Sequence, residues 1–324
     1  MPVHCSRAVA FGSALFIGMG VAASAAHADE TITVGDVGSG SANHWPAYIA
    51  MDKGFFKQQG IAIEYIKAAS SAGVQQQVAS GSVDMGVGGL VDPIRAIDKG
   101  APITLLRIEA QAAPYELIAK PSIKTIADLK HKVVMVGGVK DITRIFMQRM
   151  LEPNGIKPGD YDVVYAGATA LRFAALKSGS IDATILNSPY NFKAVADGMN
   201  SLAATPDYVK NLPFTGYAVN IAWAKDHKPA ITKFLAAYAK GVDWLHDPKN
   251  RDEAVTILMK HSKVDRADVE KTYDFFQNLK MFDDKGDIVG SGIGNLISIL
   301  KDLGDVEGAT DVSRFYDAEF ASSK

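Results

Sequence analysis

The sequence predicts an α/β protein built as two βαβ lobes around a ligand cleft, followed by a helical C-terminal region. Three observations carry this expectation. Short β-branched runs alternate with helical patterns through the first two-thirds of the chain. One step occurs twice, as Val78-Ala79-Ser80-Gly81-Ser82-Val83-Asp84-Met85-Gly86 and Leu176-Lys177-Ser178-Gly179-Ser180-Ile181-Asp182-Ala183-Thr184. Each copy reads as a helix end, a glycine stop and a small polar entry into a strand. Finally, small-polar or glycine loops follow the predicted parallel strands in both halves, where open α/β sheets bind ligands.

In order along the chain, residues 31–36 alternate as a strand does, and 45–59 read as a helix closed by Gly60. Strand 61–66 follows, then a helix over 73–80 stopped by Gly81, strand 84–87, helix 93–99 stopped by Gly100, and strand 103–108. Strands separated by helices of this length imply a mostly parallel sheet. The alternation restarts after 115–120, with strand 133–136, a helix over 141–152, strand 161–165, helix 168–177 and strand 183–186. From Pro229 onward the pattern is helical, over 229–246, 251–260, 266–279 and 292–303, and no strand stronger than 218–222 is visible there.

At 324 residues, the chain exceeds the roughly 250–300 at which single cores stop growing, which favours two domains. With 48% hydrophobic and 22% charged residues it has the composition of a packed globular protein. Its 34 Lys and Arg against 36 Asp and Glu provide no global basic field, so no nucleic-acid partner is expected. Residues 1–28 read as an export signal: a weakly basic start, an uncharged run over 8–21, and the small-residue site Ala26-His27-Ala28. That run is too short to span ~30 Å of hydrocarbon. Cleavage after Ala28 removes the single cysteine, Cys5, which precedes the apolar run and so implies no lipid anchor. The expected product is periplasmic, free of disulfides and of thiol or Cys-ligated metal chemistry.

Catalytic signatures are thin. The sequence holds no G-x-S-x-G, H-E-x-x-H, Walker or correctly placed G-x-G-x-x-G motif. His44, His131, His227, His246 and His261 are scattered without ligand spacing, and 283–287 lacks the alternating ligands of a calcium loop. No cofactor, no metal and no enzymatic activity are expected. The ligand-binding candidates lie instead in the loops after the predicted strands. They are Ser39, His44 and Trp45; Ser70 and Ser71; Gly89; Gly138, Lys140, Thr143 and Arg144; and Asn187 with Tyr190. Lys140 and Arg144 share a face at a helix N-terminus, where cations oppose the helix dipole unless an anion, or Asp141 as a cap, sits nearby. A guanidinium suits carboxylate, sulfonate or nitrate oxygens, while Trp45, His44 and Tyr190 offer aromatic walls or core packing.

The segment Trp45-Pro46-Ala47-Tyr48-Ile49-Ala50-Met51-Asp52-Lys53-Gly54-Phe55-Phe56, ending at Gly60-Ile61, resembles that of the nitrate/sulfonate/taurine substrate-binding family of ABC transporters. The same broad family includes binders of thiamine-pyrimidine precursors. Ala79-Ser80-Gly81-Ser82-Val83-Asp84 and Asp128-Leu129-Lys130-His131-Lys132-Val133 are similar to its later motifs, with His131 where glycine is usual. The resemblance implies a type II periplasmic binding fold, with lobe one at 29–114 plus 223–324 and lobe two at 115–222. It also implies a monomer that captures a small solute in the cleft and delivers it to an ABC permease in the inner membrane. The leading expectation is a small anion, an organosulfonate, nitrate or carboxylate. The alternative is a neutral heteroaromatic, and a sensor receptor in place of the permease stays open. Yeast pyrimidine-synthesis enzymes of this fold carry a cysteine-rich motif that this chain lacks, which supports the expectation of no enzymatic activity.

Overall fold

The computed structural model describes residues 1–3, 30–38 and 40–321, so residues 4–28 of the expected signal peptide, with Cys5 and its cleavage point, and Ser39 lie outside the described residues. Lobe one begins with β1 (Glu30–Asp36), α1 (Trp45–Asp52), α2 (Phe55–Gln58) and β2 (Ile61–Lys67). It continues with α3 (Ser71–Ser80), β3 (Met85–Gly89), α4 (Val91–Asp98) and β4 (Ile103–Ala110). Lobe two holds β5 (Tyr115–Ala119), β6 (Val133–Val136), α5 (Ile142–Leu151), β7 (Asp162–Tyr165) and α6 (Thr169–Ser178). Its remaining elements are β8 (Ala183–Asn187), α7 (Tyr190–Ala196), β9 (Asn200–Ala204) and α8 (Thr205–Tyr208). The chain then returns through β10 (Thr215–Asn220) and α9 (Ile221–Asp226) to the helices of the C-terminal region. These are α10 (Lys228–His246), α11 (Arg251–Ser262), α12 (Arg266–Leu279), α13 (Ile293–Asp302) and α14 (Ala318–Ala321).

The two sheets share one topology. The first runs β2-β1-β3-β10-β4 and the second β7-β6-β8-β5-β9. In each, three parallel strands are followed by one antiparallel strand, β10 or β5, that pairs on both sides. Because β10 belongs to the first sheet, the second crossing between lobes comes before Thr215, earlier than the boundary at 223 expected from sequence. A lone short strand followed by helices gives no local sign of which sheet it joins.

The repeated sequence step has the same physical job in both lobes. Gly81 and Gly179 close α3 and α6 at φ 73° and 79°, the left-handed region that glycine enters without steric cost. Ser80 and Ser178 each donate a hydroxyl to the carbonyl three residues back, both at 3.0 Å. Asp84 then accepts from the Thr33 amide of β1 at 2.7 Å, and Asp182 accepts from the Val133 amide of β6 at 2.9 Å. The repeat is a device that ties the entry of a strand to its parallel neighbour.

The C-terminal helices close lobe one. On α10, Ile231, Phe234, Tyr238, Gly241, Val242 and Leu245 are buried at helical spacing. A Cβ at Gly241 would strike the Pro46 carbonyl, so this glycine lets α10 cross close against α1. Trp45, the first residue of α1, is fully buried; its indole donates to the Ala254 carbonyl at 3.0 Å and meets Tyr273 and Phe276 edge-on.

Candidate functional site

The cleft between the lobes is closed in this structure. Asn187 at the end of β8 donates to Ser41 of lobe one at 2.9 Å, and the Tyr190 hydroxyl donates to the Ser262 carbonyl at 3.2 Å. Phe192 of α7 meets Phe275 of α12 edge-on at 5.8 Å. What remains between the lobes is a cavity of about 90 Å³. That is several times the ~10–15 Å³ a single water needs, and it suits one small ring better than a nucleotide.

Of the residues expected from sequence, His44, Ser71, Gly89, Thr143, Asn187 and Tyr190 line this cavity. Trp45, Ser70, Gly138, Lys140 and Arg144 do not. Trp45 is the first residue of α1 and packs into the core between α11 and α12, so it is no wall of the cleft. Ser70 N-caps α3, its hydroxyl accepting from the Gly73 amide at 3.1 Å. Gly138 lies in the turn before the α5 cap, beside the Asp141 side chain. Lys140 lies in the turn before the Asp141 cap and not on α5, so it shares no helix face with Arg144; the two meet only around an outer groove, while Ile142 and Thr143 line the cleft. Arg144 donates to the Val139 carbonyl at 2.7 Å, and Lys140 pairs with Asp305 at 2.6 Å, both around an outer groove.

Sequence reasoning missed Tyr115 and Phe214, which meet edge-on at 5.1 Å against the cavity. They flank the two crossings between lobes, a position that only the paired sheets reveal. It also missed Arg172, only 1% exposed on α6. Its guanidinium donates to the carbonyls of Ile185 at 3.0 Å, Ala166 at 2.9 Å and Gly167 at 2.6 Å, and to the Thr169 hydroxyl at 2.9 Å. Arg172 therefore shapes the cavity loop 166–169 from behind and leaves little donor capacity for a ligand.

The electrostatics of the lining are those of an acceptor-rich cavity. No Lys or Arg is among the lining residues, whereas Asp141 is. Asp141 caps α5, accepting from the Thr143 amide at 2.9 Å. Asn43 Oδ1, Asn187 Oδ1 and Thr215 Oγ1 are buried without a hydrogen-bond partner. Buried polar atoms are rarely left unpaired, so these lining residues hold polar capacity that a bound molecule could use, the two amide oxygens as acceptors and the hydroxyl as either donor or acceptor. Beside the cavity, burial and then Asp141 push the Asp92 carboxyl up to about 7.

At the floor, His44 is 4% exposed and stands between two carboxylates. Its Nδ1 lies 2.9 Å from Glu109 Oε1, and its Nε2 lies 3.4 Å from Asp36 Oδ1. Burial alone would lower the imidazole pKa, but Glu109 and Asp36 outweigh it and hold the ring well above its usual value. Glu109 is fully buried and also accepts from the Tyr238 hydroxyl at 3.4 Å. Burial pushes the neighbouring Tyr48 phenol up to about 12; its oxygen accepts from the Gly40 amide at 3.1 Å, and its ring stacks on His261 at 4.1 Å.

The architecture is that of known import proteins. The chain superposes with a TM-score of 0.74 on the ligand-binding component of an ABC-type import system from Staphylococcus aureus, at 14% identity, covering 91% of this chain and 100% of that one. With the alkanesulfonate-binding protein of Xanthomonas axonopodis pv. citri bound to MOPS, the TM-score is 0.68 at 16% identity, covering 87% and 95%. These likenesses establish the periplasmic-binding-protein fold. By sequence, the chain is 29% identical over 145 residues to the 4-amino-5-hydroxymethyl-2-methylpyrimidine phosphate synthase of Saccharomyces cerevisiae. That match spans 44% of this chain and 42% of the relative. The expectation of no enzymatic activity is thereby corrected, because this curated relative is named as an enzyme. Residues 41–251, well over half of the chain, match the model described as NMT1/THI5 like, and the chain belongs to that family.

Proposed function

We propose that this chain captures a small amino-substituted heteroaromatic solute, of the pyrimidine type, between its lobes in the periplasm and presents it to a membrane permease. The observation that carries this reading is the lining itself. Aromatic Tyr115, Phe214 and Tyr190 surround a ring-sized cavity whose unpaired atoms include two amide oxygens, with a carboxylate and no Lys or Arg. Such a lining matches ring faces and amino N–H donors. It offers an anion no Lys or Arg, since Lys140 and Arg144 are engaged elsewhere, and His44 already stands between the carboxylates of Asp36 and Glu109. The sequence relative adds weight, being named for a phosphate ester of 4-amino-5-hydroxymethyl-2-methylpyrimidine. The two-lobed fold fits ligand capture by hinge closure.

Isothermal titration of the purified protein tests this directly. The expected result is saturable binding of 4-amino-5-hydroxymethyl-2-methylpyrimidine and none of taurine or nitrate at millimolar concentration. Binding of the anions with no response to the pyrimidine would overturn the reading.

A further inference from the structure

The floor of the cavity carries a group whose chemistry is narrower than its residue type implies. His44 lines the cavity, yet both of its ring nitrogens face carboxylates: Nδ1 meets Glu109 Oε1 and Oε2 at 2.9 and 3.1 Å, and Nε2 faces Asp36 Oδ1 at 3.4 Å. A neutral imidazole has one N–H donor and one bare acceptor nitrogen. Set between two carboxylates, the bare nitrogen of either tautomer would point its lone pair at an anion. Only the doubly protonated ring satisfies both sides. With Nδ1 hydrogen-bonded to Glu109 and Nε2 turned to Asp36 as a looser charge contact, the ring face is what we assign to the cavity.

We propose that His44 meets the bound ring as an imidazolium, face to face, and that Glu109 is the positioning residue that keeps it so. The proposal rests on the heteroaromatic reading of the cleft and refines the substrate class to rings whose π-face is electron-rich, as amino substitution makes them. Every element around His44 supports the arrangement. Asp36 comes from the end of β1 and Glu109 from β4, while Tyr48 of α1 stands edge-on at 6.1 Å. Behind Glu109, the Tyr238 hydroxyl of α10 donates to the carboxylate at 3.4 Å. Arg107 of β4 stacks on the Tyr238 ring at 4.0 Å and donates to the Asp283 carbonyl at 2.9 Å. Glu109 is 0% exposed, so water screens its carboxylate less than it would a surface pair and its pull on His44 is correspondingly stronger. A cation under an aromatic face strengthens binding by roughly threefold to thirtyfold in a desolvated site.

Nitrogen NMR of the histidine-labelled full chain, with His44 assigned by His44→Gln, tests the charge state without any ligand. The expected spectrum has both His44 ring nitrogens protonated and unchanged from pH 5.5 to 8.5. Titration of His44 near the ordinary histidine value would overturn the proposal. Glu109→Gln keeps the shape and removes the charge. In that variant His44 should titrate inside the same range. Affinity for 4-amino-5-hydroxymethyl-2-methylpyrimidine, taken relative to wild type at each pH, should fall roughly threefold to thirtyfold at pH 8.5 and recover toward pH 6. An equal loss at every pH would mean that Glu109 is only a structural support, and would overturn its positioning role. If wild type itself fails to bind the pyrimidine, the proposed function falls, while the ligand-free spectrum still decides the state of His44.

Discussion

Replacing Arg172 with Met tests how the cavity loop is held. The guanidinium makes four hydrogen bonds, three to carbonyls and one to a hydroxyl, at 2.6 to 3.0 Å. Hydrogen bonds to a charged group are each worth about 1.5–3 kcal/mol, so their gross sum is large. Against it stands the cost of keeping a guanidinium at 1% exposure, several kcal/mol per ion. Methionine removes both terms and fills much of the volume, but leaves the carbonyls of Ala166, Gly167 and Ile185 short of a partner. The net expectation is a loss of about 3 kcal/mol, near the low end for breaking a buried network. That corresponds to a fall of roughly 6–12 °C in melting temperature by calorimetry. Hydrogen exchange should quicken first in the loop 166–169, before the β8 amides. Arg172→Lys should do no better than Met, because it keeps the buried charge and loses the fork. A melting temperature within about 2 °C of wild type, or full rescue by lysine, would refute the reasoning.

Three further outcomes follow from the same geometry. Trp45→Phe loses the indole donor to the buried Ala254 carbonyl and leaves a gap beside Tyr273 and Phe276, and should cost about 2–3 kcal/mol in denaturant unfolding with the ligand affinity of the folded protein unchanged. Asp92, pushed up to about 7 first by burial and then by Asp141, is a group whose raised folded pKa favours the native state most below its unfolded value near 3.8 and loses that advantage as pH rises through 7. Asp92→Asn should therefore be more stable than wild type at pH 8, by on the order of 2 kcal/mol, with little difference at pH 4, as measured by urea midpoints at both pH values. Finally, Asp305 holds Arg95 of its own lobe and Lys140 of the other, both at 2.6 Å, but only the Lys140 pair spans the cleft. Lys140 is 66% exposed, so Lys140→Ala should weaken closure by only about 0.5 kcal/mol, read as about a twofold shift in the open population by single-molecule energy transfer between lobes.

Much of the architecture was legible in the chain. The four long helices after Pro229 were readable because their apolar residues recur at helical spacing, as on α10 from Ile231 to Leu245. The repeated step around Gly81 and Gly179 exposed the internal symmetry because a left-handed helix stop has a strong residue preference. The aromatic-proline segment identified the family, although Trp45 and Phe56 turned out to serve the core. The site was legible only in outline. Loops at strand ends could be named, and six of their residues do meet at the cavity. Which way each side chain turns could not be read, because neighbours such as Thr143 and Arg144 differ by a helical rotation that sequence spacing leaves without an absolute reference.

Local sequence by itself determined most of the strands and helices and their glycine stops, since these depend on propensity, capping and periodicity within a few residues, although the helix expected over 45–59 breaks at Gly54 and neither α7 nor β9 was expected. The character of the cavity was decided by tertiary structure. His44 and Glu109 are 65 positions apart, yet their side chains meet at 2.9 Å. The cation that shapes the site is Arg172 behind the loop, in place of Arg144 at its edge. Burial and long-range pairing set charge state and direction, and both arise only when the two sheets are assembled.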